Sequence, residues 1–243
     1  MSKSIAIILS AGRGLRACAD IPKQYIEAGG RPVLSYCLES FDRSDVNDMI
    51  VVAAGKDIDF VQKDIVEKYG FSKVRAVIPG GAERYESVLN GIRAARAQCG
   101  AVADDIVLIH DGARPFVTTY GINRLIEETR VYGAVVAAAL AKDTIKISDE
   151  DGFVEATTDR TRTWAVQTPQ CFVYELIEKA YEKIVGTAIG IQTGFENLTD
   201  DAMVFERVWP NHKIKLLNIG EDNTKITTPR DVEFMRWMFS ERK

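Results

Sequence analysis

Apolar residues in this chain arrive in short unbroken runs: Ile5–Leu9, Met49–Ala53, Val74–Ile78, Ile106–Ile109 and Gly133–Leu140. Between them lie stretches with helical periodicity, including Asp57–Tyr69 and Glu83–Gln98. Apolar runs of this length, alternating with helical patterns, predict parallel strands covered on both faces. Repeated strand–helix–strand units predict an α/β fold, a three-layer α/β/α sheet of the Rossmann-like, doubly wound type. Further along, Tyr174–Ile184 and Asp200–Arg207 read as helices, Lys213–Leu217 as a strand, and a last helix starts at Asp231. Folds of this kind bind ligands beyond the carboxyl ends of their strands, which directs attention to the loops at Ser10, Pro79 and His110.

One segment departs from that rhythm. Asp143–Ser148 and Phe153–Thr158 alternate apolar with polar residues, and Asp149–Gly152 between them is a turn signal. A β-hairpin arm over 141–162 is therefore expected to protrude from a single domain spanning 1–243. A two-stranded ribbon alone is marginal in water. A second copy of the chain is the economical support, so a homodimer is expected.

Composition narrows the function. The chain has 243 residues, 46% hydrophobic and 27% charged, the mixture of an ordinary globular protein able to bury a core without disulfides. Its formal net charge of −4 offers no overall basic field, so nucleic acid is not an expected partner. An anionic ligand would need a local group of cations. Cys18, Cys37, Cys99 and Cys171 are widely spaced, as reduced thiols rather than a disulfide framework or a zinc site. The first apolar run is too short for a secretory h-region or a membrane span, and a cytoplasmic protein with no membrane partner is expected.

The first loop supplies such cations. Ser10-Ala-Gly-Arg-Gly-Leu-Arg16 follows the first strand, and Lys23 comes seven residues later. Gly12 and Gly14 permit a tight turn whose N–H groups can face an anion, with Arg13, Arg16 and Lys23 alongside. A phosphate-binding loop and a glycine turn with solvated basic residues are both compatible with that stretch alone. The G-x-x-x-x-G-K-[ST] pattern is absent, and G-x-G-x-x-G is broken at Ala17, which counts against a nicotinamide-dependent oxidoreductase. The histidine-motif nucleotidyltransferases need H-x-G-H, whereas this chain has only His110 and His212. A non-catalytic scaffold would have little use for the charges at Arg16, Lys23, Asp111 and Asp222.

Blocks along nearly the whole chain then fall into one order: S-A-G-R-G-L-R (10–16), P-K-Q-Y (22–25), G-G-A-E-R-Y-E-S-V (80–88), H-D-G-A-R-P (110–115), D-T-I-K (143–146), Q-T-P-Q (167–170), T-D-D-A (199–202) and D-N-T-K-I-T-T-P (222–229). In this the chain resembles the 2-C-methyl-D-erythritol 4-phosphate cytidylyltransferases. Departures from the family pattern at Ala17, Gly112 and Thr224 remove no charge.

The resemblance implies CMP transfer from CTP to 2-C-methyl-D-erythritol 4-phosphate, with Mg²⁺ as cofactor. It implies phosphate contacts by Arg16, Lys23 and Lys225 as the catalytic cations. The nucleotide would be held by Ser10, Ala11, Gly12, Gly14, Gly80, Gly81 and Ser87. The acceptor would meet Asp111, Arg114, Thr144, Arg160, Thr168 and Thr199, with Thr144 and Arg160 on the arm reaching a neighbouring subunit. Asp111 and Asp222 are the expected metal ligands, since hard oxygens suit Mg²⁺. Arg84 is open between an ion pair and a phosphate contact. His110 is expected to be packed and hydrogen-bonded, because a phosphate nucleophile is already an anion and needs no base. The related ribulose or ribitol 5-phosphate cytidylyltransferases share most of these motifs. D-T-I-K and Q-T-P-Q favour the methylerythritol acceptor.

Overall fold

A computed structural model describes residues 2–12, 21–185, 198–220 and 222–240. Its centre is β1 (Ser4–Ser10), in which Ile5, Ile7, Ala6 and Ile8 are all fully buried. Residues alternate between the two faces of a strand, so Ile5 and Ile7 enter one core while Ala6 and Ile8 enter the other. Each of the three isoleucines contributes roughly 1.5–3 kcal/mol when fully buried. That is why these runs can occupy only the middle layer.

Six further strands join β1: β4 (Asp48–Ala53), β5 (Val74–Pro79), β6 (Ile106–Asp111), β7 (Ala134–Leu140), β10 (Trp164–Val173) and β11 (Lys215–Leu217). Across the sheet the order is β11-β7-β10-β6-β1-β4-β5. One layer, α1 (Val33–Asp42), α2 (the helical stretch 58–67) and α4 (Thr119–Tyr132), packs on Ala6 and Ile8 through Leu38, Phe41, Ile65 and Leu125. The opposite layer, α3 (Arg84–Cys99), α5 (Tyr174–Val185) and α6 (Asp201–Val208), covers Ile5 and Ile7 through Val88, Ile92, Tyr181 and Phe205. A smaller cluster around Phe116, Ile226 and Met235 seats α7 (Pro229–Ser240) beside a short ribbon, β2 (Glu27–Ala28) with β3 (Arg31–Pro32).

Two features refine the sequence reading. The five apolar runs do form parallel-sheet strands, but β10 is inserted between β6 and β7 antiparallel to both. No apolar run announces it, because its centre is Gln167-Thr168-Pro169-Gln170 and its register shifts between Val166 and Gln170. The alternating segment forms β8 (Lys146–Ser148) and β9 (Val154–Thr157), a hairpin in a sheet of its own. Ile147, Phe153 and Val154 on it are 49%, 72% and 65% exposed. Among the described residues no helix is long and apolar enough to cross a membrane.

Candidate active site

From β1 the chain steps outward to β4 and then β5, and from there crosses back to β6 on the other side of β1. The carboxyl ends of β1 and β6 thus flank a topological switch point, where doubly wound sheets open a crevice. A cleft of about 210 Å³ lies there. It is lined by Leu9, Ala11 and Gly12 after β1, by Lys23 and Gln24, by Gly81–Arg84 and Ser87 around the start of α3, by Asp111 and Ala113 after β6, and by Lys225.

Asp111 is the electrostatic centre. Its Oδ2 is 2.7 Å from Lys225 Nζ and 3.8 Å from Arg114 Nε, and its Oδ1 is 3.7 Å from Arg84 Nε. Burial would favour the protonated acid, but Lys225, Arg84 and Arg114 together overcome it and hold the carboxyl well below its ordinary range. Asp111 therefore carries its negative charge at neutral pH. Arg84 is fixed from behind by a fork on the fully buried Asp201, at 2.8 and 2.7 Å. Tyr181 also donates to Asp201, at 2.5 Å. Of the two roles open for Arg84, the ion pair is present, to Asp201 of α6, and the residue also lines the cleft.

The backbone of Asp111 is held as well. Its N–H donates to Thr168 Oγ1 at 3.1 Å, and that hydroxyl lies 3.0 Å from His110 Nδ1. His110 Nε2 faces Arg114 O at 3.4 Å. One tautomer satisfies the chain: Thr168 donates to Nδ1 and Nε2–H donates to the carbonyl. Full burial against Phe41 lowers the imidazole pKa to about 3, so His110 is neutral and structural, as expected.

At the start of α3, the glycines answer a packing demand. A Cβ on Gly80 would meet Ala11 Cβ at 2.6 Å, and one on Gly81 would meet Glu86 Cβ at 2.3 Å, so glycine lets this loop lie against the turn after β1 on one side and the first turn of α3 on the other. Ser87 Oγ accepts from Gly81 N–H at 3.1 Å and donates to Glu83 O at 3.2 Å. Its hydroxyl shapes the loop. Glu83 and Glu86 form a reciprocal capping box that starts α3, and Glu86 Oε2 also takes Ala82 N–H at 2.7 Å. Gln24 ties the next turn down by donating to Ser10 O at 2.7 Å and Gly12 O at 3.1 Å. Ser10 Oγ is buried and has no hydrogen-bond partner among the described residues.

The structure therefore brings together Ala11, Gly12, Lys23, Gly81, Ser87, Asp111 and Lys225 at the cleft, with Gly80, Arg114 and Thr168 directly behind. Thr144 and Arg160 are exposed on the arm, and Thr199 is exposed ahead of α6. Asp222 is also exposed and does not line the cleft. Gly14 and Arg16 lie outside the described residues. Gln24, Asp201 and Asn223 have structural ties to the site that motif reading did not assign. The P-K-Q-Y, T-D-D-A and D-N-T-K blocks contained them, and that was the only signal.

As to the expected Mg²⁺, no group of three His, Cys, Asp or Glu side chains that could hold a metal occurs among the described residues. Glu83 is committed to the cap of α3, which leaves Asp111 as the cleft carboxylate whose hard oxygens suit an ion that keeps several waters and leans on substrate phosphates.

A cleft edged with cations at the switch point of a doubly wound sheet defines a phosphate-handling, nucleotide-binding α/β protein. Comparison with known proteins gives the particular family. The family model for 2-C-methyl-D-erythritol 4-phosphate cytidylyltransferase matches residues 4–240. A relative of that name from Lachnoclostridium phytofermentans is 39% identical over 243 residues, covering 100% of this chain and 99% of its own length. Another, from Clostridium acetobutylicum, is 43% identical over 228 residues, with 93% of each chain covered. The crystal structure of 4-diphosphocytidyl-2C-methyl-D-erythritol synthase from Anaerococcus prevotii superposes with a TM-score of 0.83 at 34% identity, covering 98% of this chain and 96% of that one. The chain belongs to the 2-C-methyl-D-erythritol 4-phosphate cytidylyltransferase family.

Proposed function

We propose that the cleft at Asp111 carries out this family's reaction, in which CMP passes from CTP to 2-C-methyl-D-erythritol 4-phosphate and pyrophosphate leaves. The observation that carries the reading is the Lys225–Asp111 contact of 2.7 Å at the mouth of the cleft, with Arg84 and Lys23 on its walls. In the transfer, an acceptor phosphate oxygen forms a bond to the α-phosphorus as the bond to pyrophosphate breaks. Negative charge grows on the non-bridging oxygens, and fixed cations stabilise it without a covalent intermediate. Lys23 on the β1 side and Lys225 on the β6 side bracket that position. The nucleophile is already an anion, so the neutral, buried His110 has no base to play. Asp111 orients Lys225 and would hold a Mg²⁺ arriving with the nucleotide, which supplies further positive charge to the phosphate oxygens. Asp222, expected as a second acid near that ion, is exposed and lies off the cleft lining.

The base sits against the Gly80–Ser87 loop, where backbone groups read it. The arm completes the acceptor site of a neighbouring subunit in a twofold dimer: Thr144 and Arg160 ride on it, and its exposed Phe153 and Val154 need a cover. The setting is the cytoplasm, in keeping with Cys37, Cys99 and Cys171 as buried thiols.

Pyrophosphate release by the purified protein tests the reading. Turnover is expected with CTP and methylerythritol phosphate, and little with UTP, because a site built for an exocyclic amine leaves buried groups unpaired without it. Faster turnover with ribitol 5-phosphate, or equal kcat/KM for CTP and UTP, would overturn it.

A further inference from the structure

Lys225 lies in an irregular segment between β11 and α7, with no helix or strand from Asn218 to Thr228 among the described residues. Such a segment cannot place an ammonium group by its own backbone regularity. What holds it is concentrated two residues earlier. Asn223 is 3% exposed, and its Nδ2 donates to Thr168 O at 2.8 Å and to Gln167 Oε1 at 3.0 Å. Its carbonyl accepts from Arg114 Nη1 at 2.8 Å. One turn further, Ile226 N–H donates to Ala113 O at 2.9 Å.

We infer that Asn223 is a positioning residue, the clamp that sets the Lys225 ammonium on Asp111. Three separate pieces of chain meet in it. Arg114 belongs to the loop after β6, Thr168 to the antiparallel strand β10, and Asn223 itself to the segment that bears Lys225. Thr168 also receives the Asp111 N–H, so the residue that fixes Asp111 is the one that fixes Asn223. Both amide protons of Asn223 are used on two acceptors, a demand that no carboxylate can meet. Aspartate at this position would oppose an anion to two oxygens.

The inference rests on the proposed role of Lys225, and a double-mutant cycle separates the two. Lys225→Ala alone tests that role. Asn223→Ala, and as a near-isosteric second variant Asn223→Asp, should each lower kcat by about 10- to 100-fold, the scale of a misplaced group. They should raise KM for methylerythritol phosphate and leave KM for CTP within about twofold. Because Asn223 acts through Lys225, Asn223→Ala,Lys225→Ala should be no slower than Lys225→Ala. Circular dichroism and melting confirm that each protein is folded, and if one Asn223 variant does not fold the other carries the cycle. If Lys225→Ala keeps full activity, the reading of the site fails. If it is impaired and the Asn223 losses multiply with its own, or if KM for CTP rises alongside, the clamp is refuted while the site stands.

Discussion

His110 gives the cleft a defined weakness to acid. Its folded pKa of about 3 lies below the unfolded value near 6.5, because full burial disfavours the imidazolium. Asp111 next door favours the charged form but does not outweigh that burial, and Arg114 adds to it. With the folded value depressed, the unfolded chain binds the extra proton between these two values. The stability contribution is therefore complete above pH 6.5 and is lost as pH falls from there toward 3. The slope is about 1.4 kcal/mol per pH unit, so moving from pH 7 to pH 5 should cost roughly 2 kcal/mol from this residue. For a chain of this size that is about 4–8 °C in Tm. Activity per folded molecule should not change over that range on account of His110, because the folded imidazole stays neutral down to about pH 3. Urea unfolding of the wild type and of His110→Gln at intervals from pH 7 to pH 5 is the assay. Glutamine lowers stability at pH 7 but cannot titrate, so the gap between the two proteins should narrow by about 2 kcal/mol at pH 5. A gap that stays constant across that range would refute the burial argument.

Removing the cation on the other wall, Lys23→Ala, should reduce kcat by roughly 10²–10³, the loss seen when one preorganised donor is deleted; a change under threefold in pyrophosphate release would exclude Lys23 from the transition state. Arg84→Ala should cost stability as well as rate, because it strands the fully buried Asp201. About 3–5 kcal/mol is expected in urea unfolding, and a variant as stable as wild type would show that Tyr181 alone satisfies that carboxylate. Replacing 144–157 by a short Gly-Ser loop should give a monomer of low activity by sedimentation and assay. Mixed Lys23→Ala and Arg160→Ala subunits should regain part of it, and confirmed heterodimers with no rescue would rule out the shared site.

By itself the sequence determined the layers of this fold and the location of its cleft. A strand buried on both faces needs an unbroken apolar run, so Ile5–Leu9 and Ile106–Ile109 declare themselves, and the loops that leave their carboxyl ends line the cleft at Ala11, Gly12 and Asp111. The glycines of 80–81 were legible as a block, although their reason, a backbone pressed against Ala11 and Glu86, needs coordinates. What only the tertiary structure decided is who meets whom across long separations. Arg84 pairs with Asp201, 117 residues away, and Arg114 with Asn223, 109 residues away. No local periodicity encodes such pairs, since a salt bridge or an amide clamp requires only that two side chains arrive at the same place. The antiparallel β10 was hidden for a related reason. Its polar centre serves Asp111, Asn223 and α6 rather than an apolar core, and polar residues busy with partners from elsewhere in the chain read, one by one, as a loop.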